Sequence, residues 1–306
     1  MWLSLLIACG KTPPDAVEPP ARPPAEAETP DTPEIPEAPE TSTMSSSVVR
    51  VADVEWTPLV EGAEDGPAVA LLSGDLDAGP FRALLRWPGG YSADLHRHTA
   101  GYTGVVLQGI AAHGARSGHL QRVEAGGYWI QPAGEPHGNA CVSEAACILY
   151  VAFDGPLDRA PARGPGRVDT STLVVAADVS WSLMDEGIPE GPELAVLAGD
   201  LSGESRVMMR FPPGFHSGLH THTSDYTAAV VTGTHGHGPT EQGLTALQPG
   251  SAILQAGGEA HADACSGGDP CILVLDLHGA FDFVPMQSDE APADDGADAP
   301  HKGPPG

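Results

Sequence analysis

At 306 residues the chain is too long for one small domain and suits two of ordinary size, and its 41% apolar content is enough for a packed core. With 14 Lys and Arg against 41 Asp and Glu, the formal net charge is −27, which argues against nucleic acid as a partner, since its phosphates need cations. The 38 Gly and 31 Pro beside few aromatics favour turns and short strands over long helices, and no apolar run is long enough to span a membrane as a helix.

The chain begins MWLSLLIACGK. Leu6-Ile7-Ala8-Cys9 resembles the bacterial lipobox, an apolar pair and a small residue before a cysteine that becomes lipidated. The resemblance implies a signal over residues 1–9, a lipid on Cys9 and a place in the bacterial cell envelope. Gly10 stands where the inner-membrane retention signal has Asp, which implies the outer membrane. The segment before Cys9 is eight residues without a basic one, whereas secretory signals run about 15–30 residues with a positive start. Residues 10–47 follow as a tether, and their Pro/Glu/Thr-rich stretch 11–43 is too polar to bury a core and is expected to be disordered and extended.

Short Val/Leu/Ile-rich runs broken by Gly and Pro come next: RALLRW (82–87), GVVLQG (104–109), YWIQP (128–132) and CILYVAF (147–153). A Gly/Pro-rich join, GPLDRAPARGPGRVDTST, covers 155–172. The runs RVMMRF (206–211), AAVVTG (228–233), SAILQ (251–255) and CILVLDL (271–277) follow, and an acidic tail, SDEAPADDGADAP, covers 288–300. None shows sustained helical periodicity, so the pattern predicts an all-β sandwich or barrel.

The chain repeats itself. VEWTPL at 54 returns as VSWSLM at 179, and LLSGDL at 71 as VLAGDL at 196. WPGGYSADLHRHTAGYTGVVLQG at 87 returns as FPPGFHSGLHTHTSDYTAAVVTG at 211, and GGYWIQPAGEPHGNAC at 126 as GSAILQAGGEAHADAC at 250. The offset is 125 residues from Trp56 to Trp181 and 124 from His96 to His220. Two copies of one domain are expected, over 48–155 and 173–285, with a linker at 156–172 and an acidic disordered tail at 286–306. Setting Cys9 aside leaves Cys141, Cys147, Cys265 and Cys271 in two pairs of equal spacing, which in an oxidising compartment read as disulfides.

His96 and His98 are two residues apart, so on a strand both point to one face. In copy one Gly90 lies six residues before His96 and Gly109 closes the stretch; Gly126, Pro132, Gly134 and His137 follow. Copy two carries Gly214, His220, His222, Gly233, Gly250, Gly258 and His261, with Ala256 where copy one has Pro132. This spacing resembles the two motifs of the cupin superfamily, and within it the uncharacterised double-cupin proteins with HxHxxxY and GExH in both halves. The resemblance covers both repeats and implies tandem jelly-roll barrels. It implies a divalent transition metal (Zn, Fe, Ni, Cu or Mn) on His96, His98 and His137 and on His220, His222 and His261. Neutral imidazoles suit any of these ions. Copy one has the complete motif and is expected to hold metal more tightly.

Tyr102 and Tyr226 occupy the family's Glu position. A phenol near pKa 10 needs strong help to ionise, so a hydrogen bond to a metal-bound water or substrate ranks ahead of phenolate ligation, with core filling as a third role. Glu135 and Glu259, two residues before the third histidine, are candidate site partners or exposed turn residues. Arg86 and Arg210, and Gln131 and Gln255, also repeat and either line the pocket or cap strand ends. His113 and His237 read as loop residues; His119, His216, His235, His278 and His301 do not repeat and receive no role. Three functions stay open: a metal-dependent enzyme such as an oxygenase on a small molecule, a metal-dependent binding or sensing module, and a structural surface lipoprotein with vestigial sites. No nucleophile–base pair stands out, so an enzymatic reading rests on the metal alone. A small-molecule ligand and a membrane reached only through the lipid are the expected partners; the oligomeric state is not legible.

Overall fold

The computed structural model describes residues 44–286, apart from Ser117 and 168–170. Cys9, most of the tether and the acidic tail lie outside the described residues. No helix among the described residues is long and apolar enough to cross a membrane.

Each copy folds as a cupin jelly roll, and the two are built alike. In copy one a seven-stranded antiparallel sheet runs in the order Thr172–Val174, Tyr128–Gln131, Tyr102–Gln108, Cys147–Phe153, Phe81–Trp87, Ala68–Gly74 and Thr57–Pro58. A three-stranded sheet of Gly138–Cys141, Ile110–Gly114 and Gln121–Glu124 faces it. Copy two repeats this with Ser47–Val49, Ala252–Gln255, Tyr226–Thr232, Cys271–Leu277, Ser205–Phe211, Glu193–Gly199 and Ser182–Leu183, opposed by Thr245–Leu247, Thr234–Gly238 and Ala262–Ser266.

The large sheets are exchanged at their edges. Ser47–Val49 precedes copy one in sequence but pairs with Ala252–Gln255 of copy two, Val48 opposite Ile253. Thr172–Val174 precedes copy two but pairs with Tyr128–Gln131 of copy one, Leu173 opposite Trp129. Sheet membership therefore crosses the boundaries drawn from the repeat. Where copy one has Pro132, Ala256 of copy two has a backbone N–H, and it donates to Ser46 Oγ at 2.9 Å.

Why the central strands are apolar throughout follows from their two burials. Cys147–Phe153 is buried at every position. One face enters the barrel core, with Leu149, Val151 and Phe153 beside Trp87 and Trp129. The other face carries Ile148, Tyr150 and Ala152 into a core shared with Met208, Ala229, Val231 and Val274 of copy two. The one acid on the matching strand, Asp276, is compensated there: Arg206 Nε donates to it at 2.5 Å and Arg82 of copy one pairs with it at 2.6 Å. A carboxylate this buried persists only when paired. Cys141–Cys147 and Cys265–Cys271 are bonded in the structure, each joining two strands of its barrel.

The linker is not a passive join. Ala160–Pro161 pairs with His96–Arg97, and Val284–Pro285 pairs with His220–Thr221 at the matching place in copy two. These short pairings bring Asp158 and Asp282 beside the histidines.

Candidate metal centre

His96 and His137 stand directly opposite each other on neighbouring strands and exchange both backbone hydrogen bonds, at 2.9 and 2.8 Å. His98 follows His96 on the same face. The turn Pro132–His137 is pinned to it, because Gly134 N–H donates to the His98 carbonyl at 2.8 Å. Gly134 makes that turn at φ 74°, where a Cβ would be strained. Copy two uses the same device: His220 and His261 exchange bonds at 2.9 Å, and Gly258, at φ 79°, donates to the His222 carbonyl at 2.7 Å.

Each ring is oriented through Nδ1. His96 donates to the Asp94 carbonyl at 2.7 Å, His98 to the Asp158 carbonyl, and His137 to the Glu135 carbonyl at 3.1 Å. In copy two His220 donates to Gly218 at 3.0 Å, His222 to Asp282 at 2.5 Å and His261 to Glu259 at 3.4 Å. Carbonyls fix the tautomer, so the Nε2 lone pairs remain for a ligand. Within each triad the ligand nitrogens lie within 4.8 Å of one another. Burial pushes His96 down to about 4 and His137 to about 2, and lowers His98. It likewise takes His261 to about 3 and lowers His220. Neutral imidazoles whose free nitrogens converge fit a transition metal.

The tyrosines are buried beside the triads. Tyr102 O–H donates to His137 Nε2 at 3.1 Å, and Tyr226 O–H to His261 Nε2 at 3.3 Å. Burial raises both phenols above their ordinary value, so both are neutral donors. Glu135 and Glu259 meet the histidines through their backbone carbonyls. The Glu135 carboxylate instead accepts from the Arg167 backbone N–H at 3.2 Å, and the Glu259 side chain is exposed. Arg86 and Arg210 stack over Trp56 and Trp181 at 5.0 and 4.6 Å, which places them on neighbouring indoles and not on the triads.

Sequence reasoning misplaced one pair of histidines. His113 and His237 lie buried on the strands Ile110–Gly114 and Thr234–Gly238, not in loops. His113 bonds Asn139 at 2.7 Å and Gln131 at 3.0 Å; His237 bonds Asp263 at 2.8 Å and Gln255 at 3.2 Å. Both glutamines are thus buried partners of these histidines. His235, two residues before His237 and so on the same face, also donates to Asp263, at 3.0 Å. The signal was available in THGHG, an alternation with one face histidine, and in the change of Asn139 to Asp263 between the copies.

The surroundings of the two triads differ. Copy one opens on a cavity of about 430 Å³ with Tyr91, Trp129, Asn139 and Arg159 on its walls. Copy two opens on one of about 80 Å³, walled by Met184, Phe215, Phe281 and Phe283. Phe283, the counterpart of Arg159, stacks on His220 at 4.3 Å.

Two jelly rolls in one chain, each with an inward histidine triad, define a double cupin. The chain belongs to the family described as a domain of unknown function, DUF4437, whose model matches residues 47–284. Comparison with curated protein sequences finds no match. Among solved structures it is similar to a "putative dioxygenase" from Nostoc punctiforme PCC 73102, at 12% identity and a TM-score of 0.62 over 81% of this chain and 88% of that one. It is also similar to oxalate decarboxylase from Lactobacillus farciminis in a formate complex, at 14% identity and a TM-score of 0.51 over 80% of this chain and 90% of that one. At these identities the likeness is one of fold.

Proposed function

We propose that copy one holds a divalent transition metal on His96, His98 and His137 and uses it to bind a small anionic or chelating molecule. The observation that carries this reading is the convergence of three carbonyl-oriented histidines on a cavity of about 430 Å³. Three neutral ligands leave the ion's full charge, and the exposed guanidinium of Arg159 on the cavity wall adds another. Such a site favours an anion. The metal supplies Lewis acidity, or redox chemistry if it is iron. Tyr102 supplies a hydrogen bond: with His137 Nε2 given to the ion, its neutral O–H is released to donate to the bound molecule. An oxygenase is the catalytic form of this reading, in line with the name of the Nostoc protein. Neither Glu135 nor Glu259 carries a proton in it. Lipidation of Cys9 and tethering to the outer membrane by residues 10–47 complete the proposal.

Calorimetric titration of oxalate, a chelating dianion, into the zinc-loaded full chain tests the binding reading. Binding is expected in the wild type, abolished in His98→Ala, weakened in Arg159→Ala and retained in His222→Ala. Equal binding in all four proteins would defeat it. Dioxygen consumption by the iron(II)-loaded chain in the presence of candidate organic acids reads the catalytic form. Release of Cys9→Ser from the membrane fraction reads the anchor.

A further inference from the structure

The carboxylate of Asp263 is held in an unusual position. Its Oδ1 accepts from His235 Nε2 at 3.0 Å and from His237 Nδ1 at 2.8 Å. Its Oδ2 is left facing two of the three triad rings, 3.6 Å from His220 Nε2 and 3.7 Å from His261 Nε2. The side chain is only 12% exposed.

Those two longer distances are not hydrogen bonds. His220 and His261 already spend their Nδ1 protons on the Gly218 and Glu259 carbonyls. Their Nε2 lone pairs and the Asp263 Oδ2 lone pairs therefore converge, with the single phenolic proton of Tyr226 among them. Electron pairs so arranged call for a cation. Two ligand atoms about 2.1 Å from one tetrahedral ion stand about 3.4 Å apart, close to the 3.6 and 3.7 Å observed. The contacts of Asp263 with His235 and His237 are shorter and have hydrogen-bond lengths. That trio is a clamp that aims the second oxygen, the usual role of outer partners around a metal-bound carboxylate.

Copy one keeps only the counterpart of His237, His113, which bonds Asn139 at 2.7 Å, and lacks the rest of this device. Asn139 stands for Asp263, Ala111 for His235 and Trp129 for Ile253. Trp129 stacks on His113 at 4.7 Å and lies 6.4 Å from Trp87. In copy two His235 takes the corresponding place, 6.4 Å from His237 and 5.7 Å from Phe211. The carboxylate and the histidine that orients it thus occur together.

We propose that Asp263 is the fourth protein ligand of the copy-two metal, so that one chain carries two unlike centres: an open three-histidine centre and a closed centre of three histidines and one aspartate. The proposal rests on the reading that the triads bind metal. A carboxylate ligand halves the net charge left on a divalent ion, and the phenylalanine-walled cavity of about 80 Å³ leaves little room for an exogenous molecule. Copy two then retains its ion more tightly than copy one, the reverse of the order expected from the completeness of the motifs.

The test uses the full chain carrying His98→Ala, so that only copy two is read, with cobalt(II) as the probe. Cobalt affinity is measured by chelator competition and the visible ligand-field spectrum is recorded, with and without Asp263→Asn, which copies the residue of copy one and keeps the volume. The proposal expects Asp263→Asn to weaken binding by more than about 100-fold, beyond the 10- to 100-fold that outer partners command, and to change the ligand-field spectrum. A spectrum unchanged by the substitution, whatever the affinity, would overturn it. Adding His222→Ala separates this failure from that of the underlying reading: if cobalt still binds without His222, the triad itself is not the site.

Discussion

Copy one and copy two place three histidines at matching backbone positions and hold them through matching carbonyls, yet surround them differently. The triads superpose in their ring spacings: 5.1, 4.4 and 5.3 Å between centroids in copy one against 5.0, 4.2 and 5.1 Å in copy two. Around them Asn139, Ala111, Trp129 and Arg159 become Asp263, His235, Ile253 and Phe283. Duplication kept what a metal needs and altered what a ligand meets. The alterations are coupled, because a buried Asp in the place of Asn139 without His235 would lack one of its two donors, and His235 beside an indole at 253 would compete for one space.

The largest expected effect probes what the copies share. His98→Ala and His222→Ala should each remove one metal equivalent of two, read by elemental analysis of natively loaded protein; unchanged content in both variants would show that the triads are not the sites.

Packing distinguishes the copies next. A Cβ on Gly104 would stand 2.6 Å from the Trp129 ring, whereas copy two has Ala228 facing Ile253. Gly104→Ala should cost about 1–3 kcal/mol by overpacking, and adding Trp129→Ile should restore much of it in urea unfolding. Absence of any recovery would mean that the indole is not the obstacle.

The disulfides should behave alike in both copies. Each closes a loop with a sequence separation of 6, so replacing either pair by alanine should destabilise by about 2 kcal/mol from loop entropy. A marked difference between them in equilibrium unfolding would show that the barrels are unequally strained.

The smallest effect separates the tyrosines. Tyr102→Phe should leave metal content unchanged and weaken oxalate binding to copy one by about 1 kcal/mol, the value of one hydrogen bond. Tyr226→Phe should leave oxalate binding unchanged, since the copy-two cavity is small. Loss of metal in Tyr102→Phe would make the phenol a ligand.

Much of this was legible in the sequence because the relevant signals are periodic. His-x-His parity, the offset between copies and the glycine turns point to a repeated β domain, and the resemblance of their spacing to the cupin motifs implies the barrels and the completed triads. The strand exchange was not legible, because Ser47–Val49 and Thr172–Val174 are three residues each, too short to show a pattern, and their partners are set by tertiary packing. The linker's contribution was hidden likewise, since Asp158 serves His98 through a carbonyl, which any residue could supply. Glu135 and Glu259 were legible only as site partners or exposed turn residues, and their contact with the third histidine is made by the main chain. Asp263 was visible only as a single difference from Asn139, and its meaning depends on His235, which reaches it across a strand pairing between Thr234–Gly238 and Ala262–Ser266.

The claim that the two centres are unlike is tested most directly by anomalous-difference crystallography of the natively metallated protein. The account predicts an ion in each barrel. In copy two the ion lies within about 2.0–2.2 Å of Asp263 Oδ2, together with His220, His222 and His261. In copy one the ion is held by His96, His98 and His137, with its remaining positions open to the cavity and Asn139 outside its reach. Equivalent three-histidine centres in both barrels, or an ion lodged among His235, His237 and Asp263 with the triads empty, would contradict it.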